Sequence, residues 1–456
     1  MDSAQPAALS LEGPATSALL GRLGSANQAF ALLQPGEGVG RQPVHVVYGG
    51  AHLFRADTAH KIGALALRSL RQQFPDAEAL GRVLGLGPLA AAVLARVEQK
   101  LAREAVEDFR IDFEDGYGNR SDAEEDGHAV QAARAVAEGL RAVTLPPFLG
   151  LRLKPLTDEL APRAVRTLDL FVTALCSATG GALPPGLVVT LPKVQLPEQV
   201  AALATVLGRL EERLRLAPGL LKLELMVETP AALIAPDGRV PLRALVAAGN
   251  GRCIAAHFGA YDYLSACDLT AAVQSLGHPA CDFARQVMQV SLAGSGVRLS
   301  DGATNVLPLA RHRAAQDGAL TPAQEQENAG AIHAASALHY RNVRHALAQG
   351  YYCGWDLHPA QLPARYAAIA AFFLEGLAQA TARLQNFLAQ AAQATRVGEV
   401  FDDAATGQGL LNFFLRGLGC GALTAEEGLA AGLTLDELRS RSFAQIVAGR
   451  RSQLPR

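Results

Sequence analysis

Apolar residues along this chain recur in two rhythms. Short runs rich in Val, Leu, Ile and Phe stand at Val44–Tyr48, Phe109–Phe113, Leu149–Leu153, Leu187–Leu191, Leu221–Val227, Cys253–Phe258 and Tyr351–Trp355, with one more at Val297–Leu299 or Asn305–Leu307. Between them lie longer stretches patterned as amphipathic helices. Several carry start signals: Ser121-Asp122-Ala123-Glu124 fits a capping box, and Thr321-Pro322-Ala323-Gln324 adds a proline at the first helical position. Most intervals are long enough for a crossover helix, so the strands are expected to be parallel and covered on their outer face. Eight strands separated by helices predict an α/β fold, a (β/α)8 TIM barrel rather than an open doubly wound sheet.

The pattern weakens in places. Ser300–Ala303 interrupts the seventh run, and Lys222 and Glu224 break the fifth, although its alternation still fits a strand. Residues 1–43 hold several Gly and Pro and predict a loose lead-in, with a short helix around Pro14–Leu23 followed by loop. Beyond about residue 395 the alternation stops. Thr424-Ala425-Glu426-Glu427 and Thr434-Leu435-Asp436-Glu437 are two more capping boxes, so residues 396–456 are expected to form a helical appendage to a barrel spanning 44–395.

At 456 residues the chain can hold one large α/β domain with appendages. A formal net charge of −2 gives no reason to expect nucleic acid or an anionic membrane as a partner. The six cysteines, Cys176, Cys253, Cys267, Cys281, Cys353 and Cys420, show no CxxC or metal-finger spacing and read as small core residues of a reducing compartment. The start Met1-Asp2-Ser3 lacks a signal-peptide pattern, and even the apolar run Ala367–Leu374 is stopped by Glu375, so a cytoplasmic protein is expected.

The working residues of such a barrel sit at the carboxyl ends of its strands. Here those ends read Tyr48-Gly49-Gly50, Asp112-Phe113-Glu114-Asp115-Gly116, Arg152, Pro192-Lys193, Glu228, Asp262 and Asp356-Leu357-His358-Pro359. Two acids, Glu228 and Asp262, come from neighbouring strands and suit Mg2+, or Mn2+ in its place, which takes oxygen donors and keeps open positions. An arginine opposite suits a grip on a carboxylate or a developing oxyanion. The plainer alternative is that each acid caps the next helix, that Arg152 is a surface group and Lys193 a solvated one. Charged residues after at least five of eight strands favour a site, because buried polar groups are costly unless used. Rival chemistries fare worse. Gly36–Gly40 is followed by no Gly-Lys-Ser/Thr, and Gly294-Ser295-Gly296 is a turn rather than a nucleophile elbow.

Taken together, Asp112-Phe113-Glu114-Asp115, Leu151-Arg152-Leu153, Leu191-Pro192-Lys193-Val194, Val227-Glu228-Thr229-Pro230, Phe258-Gly259-Ala260-Tyr261-Asp262-Tyr263-Leu264 and Gly354-Trp355-Asp356-Leu357-His358-Pro359-Ala360-Gln361 resemble, in order and spacing, the landmarks of the citrate lyase β-subunit/HpcH–HpaI aldolase family. That family belongs to the phosphoenolpyruvate/pyruvate-binding TIM barrels, and the resemblance covers roughly residues 44–375. It implies Glu228 and Asp262 as Mg2+ ligands. It implies Arg152 as the group that binds the carbonyl or enolate oxygen of a 2-oxo acid. Glu114 and Asp115 match the acidic motif after strand two, Gly259 and Ala260 the turn near the substrate carboxylate, and His358 and Gln361 a motif at the rim. Lys193 is expected beside the substrate. The general base is left open among His52, Asp115 and a metal-bound hydroxide positioned by Glu114. The chain departs from the family at Ala260-Tyr261-Asp262-Tyr263, at Trp355-Asp356-Leu357-His358-Pro359 and at Gly49-Gly50-Ala51-His52. It also carries an insertion around Phe74–Lys100. The implied function is a Mg2+-dependent carbon–carbon lyase or aldolase acting on a small 2-oxo or 3-hydroxy acid, or its coenzyme A ester, through a metal-held enolate. A phosphoenolpyruvate-binding phosphotransferase and a non-catalytic barrel are the alternatives. A homo-oligomer, trimer or hexamer, is expected, with the apolar face of Tyr366–Phe387 against a neighbour.

Overall fold

Eight parallel strands close on themselves in the computed structural model, which describes residues 11, 13–36, 40–314, 318–389, 395–397, 400–402, 404–440, 443, 445–446 and 449–450. The strands are β1 (Val46–Gly50), β2 (Asp108–Asp112), β3 (Phe148–Arg152), β4 (Val188–Leu191), β5 (Lys222–Val227), β6 (Cys253–Phe258), β7 (Arg298–Ala303) and β8 (Cys353–Asp356). They pair in chain order, and β8 pairs with β1. Helices follow: α1 (Pro14–Leu33) leads in, α2 (Thr58–Gln73), α3 (Ala77–Leu84) and α4 (Ala90–Glu104) fill the first crossover, and α5 (Asp122–Ala142), α6 (Ala161–Thr179) and α7 (Pro197–Arg213) the next three. The short α8 (Pro230–Leu233) and α9 (Leu242–Ala248) lie between β5 and β6, then come α10 (Ala260–Ala266), α11 (Pro279–Leu292), α12 (Pro322–Ala348) and α13 (Leu362–Ala389). A two-stranded antiparallel ribbon, β9 (Thr395–Val397) with β10 (Val400–Asp402), precedes α14 (Ala404–Gly419), α15 (Ala425–Ala430) and α16 (Leu435–Ser440). No described helix is long and apolar enough to cross a membrane.

The strand alternation sorts apolar residues outward and polar ones toward the barrel axis. Phe109, Ile111, Leu149, Leu151, Val189, Leu191, Leu223 and Leu225 join the helices in one buried cluster. The opposite parity carries an ionic network where barrels usually stack branched aliphatics. Glu224 receives Arg110 Nε at 3.1 Å and Nη2 at 2.6 Å, the Thr190 hydroxyl at 2.7 Å and His257 Nε2 at 2.9 Å. Burial works against ionisation of Glu224, but Arg110 and His257 outweigh it and hold the carboxyl well below the ordinary range. Arg110 also pairs with Asp108, and Tyr48 donates its hydroxyl to His257 Nδ1 at 2.9 Å. Below this network, at the amino ends of the strands, lies a small cavity of about 60 Å³ lined by Asp108, Glu224, His257, Arg298 and Cys353 among others.

A second buried cluster joins α2, α3, α4, α12, α13 and α14 on the outside of the barrel. The insertion after Phe74 is therefore a helical layer, tied to the chain's last third by Arg96, which reaches Glu427 at 2.5 Å. The same packing buries Tyr366, Ile369, Phe373, Leu384 and Phe387 within the chain, so that face of α13 is already covered rather than open to a neighbour.

Two expectations need revision. The seventh strand runs through Ser300–Ala303 rather than stopping there, and Asn305–Leu307 is not a strand. Asp301 is tolerated because Arg285 of α11 meets it at 2.8 Å, so the interruption is a satisfied buried pair. The lead-in helix continues to Leu33, past the glycines at 21 and 24, with Leu19, Leu20, Leu23 and Phe30 exposed. The capping boxes at Ser121, Thr321 and Thr424 are formed, and the Thr434–Glu437 exchange is present at 2.8 and 3.2 Å. The six cysteines are free.

Glu224→Ala strands Arg110 without one of its two carboxylates inside the barrel. Urea unfolding is expected to show a loss of about 3–5 kcal/mol, and a loss under about 1 kcal/mol would contradict a stabilising role for the axial network.

Candidate active site

The site begins with a cross-strand pair. Asp112 ends β2 and Arg152 ends β3, and the register sets them directly opposite each other. Both are buried, and Asp112 grips the guanidinium at two points, Nε at 2.7 Å and Nη2 at 2.5 Å. Asp112 also accepts the backbone N–H groups of Glu114 at 2.9 Å and Gly116 at 2.8 Å, so the loop after β2 folds around it. A side chain at Gly116 would put its Cβ 2.5 Å from Asp112 Oδ2, hence the glycine. Folded this way, the loop brings Glu114 Oε2 to 2.9 Å and Asp115 Oδ2 to 3.8 Å from Arg152 Nη1. The guanidinium lies over the rings of Tyr48 and Trp355, with centroids 4.9 and 5.4 Å away. Burial opposes its charge, but Asp112 reverses the balance and keeps Arg152 above its ordinary value.

The second half of the site turns on Lys193. Two residues past β4, its backbone takes the left-handed conformation at φ 50°, which a non-glycine residue rarely adopts. Its N–H donates to Glu228 Oε1 at 2.6 Å, and its ammonium bonds Glu114 and stands 3.5 Å from Asp115 and 3.6 Å from Asp262. Burial alone lowers a lysine, but these carboxylates raise Lys193 above its usual range. Glu228 directly follows β5 and sits across from Gly259, since Val227 pairs with Phe258. A Cβ at Gly259 would lie 2.2 Å from Glu228 Oε2, so the carboxylate occupies the space a side chain would need. Thr229 then pins the turn, donating to Val194 O at 2.9 Å and capping α8.

Asp262 projects from the first turn of α10, 42 % exposed. Burial first, and the nearby Asp262 charge second, push the Glu228 carboxyl up to about 8. Among the described residues no group of three or more His, Cys, Asp or Glu side chains forms a metal cage. A buried Glu228 with the Asp262 charge close by nonetheless fits a divalent cation, which offsets both burdens on Glu228 and takes its other oxygens from water or ligand.

The remaining candidates fall in different places. Gly259 and Ala260 form the turn into α10, beside Glu228. His52 packs against Tyr117 and His128 at ring separations of 5.6 and 6.1 Å, and burial, then Arg120 and His128, lower its pKa. No hydrogen bond or ion pair among the described residues joins it to the acids. His358 and Gln361 cap the turn after β8: His358 Nδ1 accepts from Ala360 N at 3.1 Å, and Gln361 accepts from Leu357 N and donates to Thr304 O, both at 2.8 Å. Asp356 faces outward and is held by Arg365, by His45 Nδ1 and by His339 Nε2, each at 2.9 Å. His45 Nε2 accepts from Glu107 N at 3.0 Å, so the proton is on Nδ1 and points at Asp356. The residues without a sequence-derived role are Asp112 and Tyr48. Asp112 shares the parity of Asp108 and Arg110, which is the one signal that would have aimed it at the axis.

Two measurements test this geometry. Gly259→Ala is expected to displace Glu228 and weaken Mg2+ binding by calorimetry by about tenfold or more, with an unchanged circular dichroism spectrum. Between the ordinary carboxylate range and about pH 8 the folded chain holds a proton on Glu228 that the unfolded chain has lost. Stability in chelator therefore falls as pH rises through that window, and Glu228→Gln should flatten this slope in thermal unfolding at pH 5 and 8.5; parallel slopes would contradict it.

A citrate lyase from Burkholderia xenovorans LB400 superposes with a TM-score of 0.54 at 18% identity, over 87% of this chain and 98% of that one. A CitE protein from Mycobacterium tuberculosis, in complex with magnesium, acetoacetate and coenzyme A, gives a TM-score of 0.45 at 15% identity, over 84% and 100%. A Haloferax volcanii malate synthase in a lead(II) complex gives 0.44 at 12%, over 91% and 99%. At these identities the likeness to the citrate lyase speaks for the fold. No curated protein matches the sequence. A family described as a domain of unknown function, DUF6986, matches residues 23–446. The chain is thus a (β/α)8 barrel that belongs to the DUF6986 family.

Proposed function

We propose that this protein is a Mg2+-dependent carbon–carbon lyase or aldolase acting on a small 2-oxo or 3-hydroxy acid, free or as a coenzyme A ester. The observation that carries the reading is Arg152: a buried guanidinium gripped from behind by Asp112, with Nη1 left without a hydrogen-bond acceptor among the described residues, beside the Glu228–Asp262 pair. The motif resemblance supports it, and the citrate lyase name of the B. xenovorans relative points the same way.

Glu228 and Asp262 would hold the cation, which when bound supplies Lewis-acid polarisation of the substrate oxygens. In the cleavage direction a base takes the proton of the 3-hydroxyl, the carbon–carbon bond breaks to leave a carbonyl, and the electron pair moves onto the enolate oxygen. Arg152 Nη1 donates to that oxygen and is more valuable as its charge grows. Asp115 is our choice of base: its side chain is 60% exposed on the loop beside Arg152 and Lys193. Lys193 and Glu114 hold a proton at the same rim. His52 takes no part in this reading.

Phosphoryl transfer has less support. Lys154 is paired with Glu125 at 2.9 Å and bonds Phe113 O, and Arg55 bonds the carbonyls of His52 and Phe54, so the nearby cations are already engaged.

A metal-dependent retro-aldol screen over short hydroxy acids and their coenzyme A esters, with Asp262→Ala as blank, tests the proposal. Glu228→Ala and Asp262→Ala should each lose Mg2+ binding and turnover. Arg152→Lys should keep the metal and lose about 10²–10³ in rate, because a point charge does not replace the fork. Full activity in Glu228→Ala would refute the assignment.

A further inference from the structure

Trp355 is the only tryptophan of the chain. It lies in β8 with its ring centre 4.2 Å from that of Tyr48 and 5.4 Å from the Arg152 guanidinium carbon. Its indole Nε1 is cut off from water and has no acceptor among the described residues. A buried indole N–H ordinarily finds a partner. Arg152 Nη1 shares this state: Glu114 Oε2 is 2.9 Å away but out of line for a hydrogen bond. The rest of the setting is satisfied. Asp112 fixes the other edge of Arg152, and Tyr48 is tethered through His257 to Glu224. The guanidinium lies over the indole ring, so these two unanswered donors belong to one stack of Arg152, Trp355 and Tyr48.

We infer that Trp355 determines specificity: its Nε1–H binds one acceptor oxygen of the substrate beside the oxygen taken by Arg152 Nη1. Two neighbouring donors select a short 2-oxo carboxylate, whose carbonyl and carboxylate oxygens lie side by side, over a simple acid of the same length. A site built to hydrogen-bond a group rejects the analogue that lacks it far more strongly than a purely apolar pocket does. The indole also closes that side of the site and keeps the acid short. This inference rests on the carboxylate-binding reading of the same site, and the test separates the two.

Because Trp355 is the sole indole, its emission reports on this ring without any turnover. Pyruvate, glyoxylate and propionate are titrated into the full chain with Mg2+, followed by tryptophan fluorescence and by calorimetry. Pyruvate and glyoxylate are expected to change the emission saturably, and propionate not. Trp355→Phe keeps a ring and removes the N–H; it should bind pyruvate about tenfold more weakly with unchanged Mg2+ affinity and unfolding temperature. Trp355→His, which retains a ring N–H, should recover part of that loss. Equal pyruvate affinity in Trp355→Phe overturns the inference and leaves the carboxylate reading standing. Should Trp355→Phe fail to fold, pyruvate binding seen by calorimetry with no change in the emission of the unaltered chain overturns it equally. If the unaltered chain binds Mg2+ but none of the acids, both readings fall.

Discussion

A guanidinium inside a protein must be neutralised and held, and in this chain Asp112 does both to Arg152. The consequences spread from that one bidentate contact. With Nε and Nη2 taken, only Nη1 is left over, on the side of the acidic loop where Glu114 Oε2 lies 2.9 Å away. The same aspartate gathers the N–H groups of Glu114 and Gly116, which places the acidic loop. Glu114 in turn binds the Lys193 ammonium, and the backbone of Lys193 holds Glu228. Four strand ends are thus linked by charge in a chain that starts at Asp112.

This arrangement requires a barrel that is polar along its axis and apolar outside. The outward layer of Phe, Ile, Leu and Val supplies the hydrophobic burial, roughly 25 cal/mol per Å² of apolar surface removed from water. That leaves the inward positions available for Arg110, Glu224 and His257. Pairing is close to complete there, as it must be where water is excluded. A comparable device works on the outer wall, where Asp356 joins β8 to α13, α12 and the residue before β1 through Arg365, His339 and His45.

The barrel was legible in the chain because each strand ends in a marker and each crossover is long enough for a helix. The positions of Glu228 and Asp262 past the fifth and sixth runs were legible for the same reason, although a carboxylate there can equally cap the next helix. The seventh strand was misread because Asp301 looks like a break when its partner, Arg285, is unseen. A buried ion pair is invisible until both halves are in space. Asp112 was hidden likewise, since its role depends on register against β3 rather than on its neighbours in sequence. Trp355 stood out as an oddity of the last strand, but only coordinates bring it against Arg152 and Tyr48. The lead-in helix was underestimated because its glycines were read as ends.

The hydroxyl of Tyr48 gives the barrel axis a further property. Its acceptor is a histidine nitrogen, and that imidazole lines the cavity at the far end of the barrel. The same hydroxyl stands 3.4 Å from Glu224 Oε1, so the ring that cushions Arg152 is moored at its tip to the carboxylate that neutralises Arg110. One layer of side chains is thus the floor of the upper mouth and the ceiling of the lower cavity, so a substitution at Tyr48 or His257 would be felt at both openings of the cylinder.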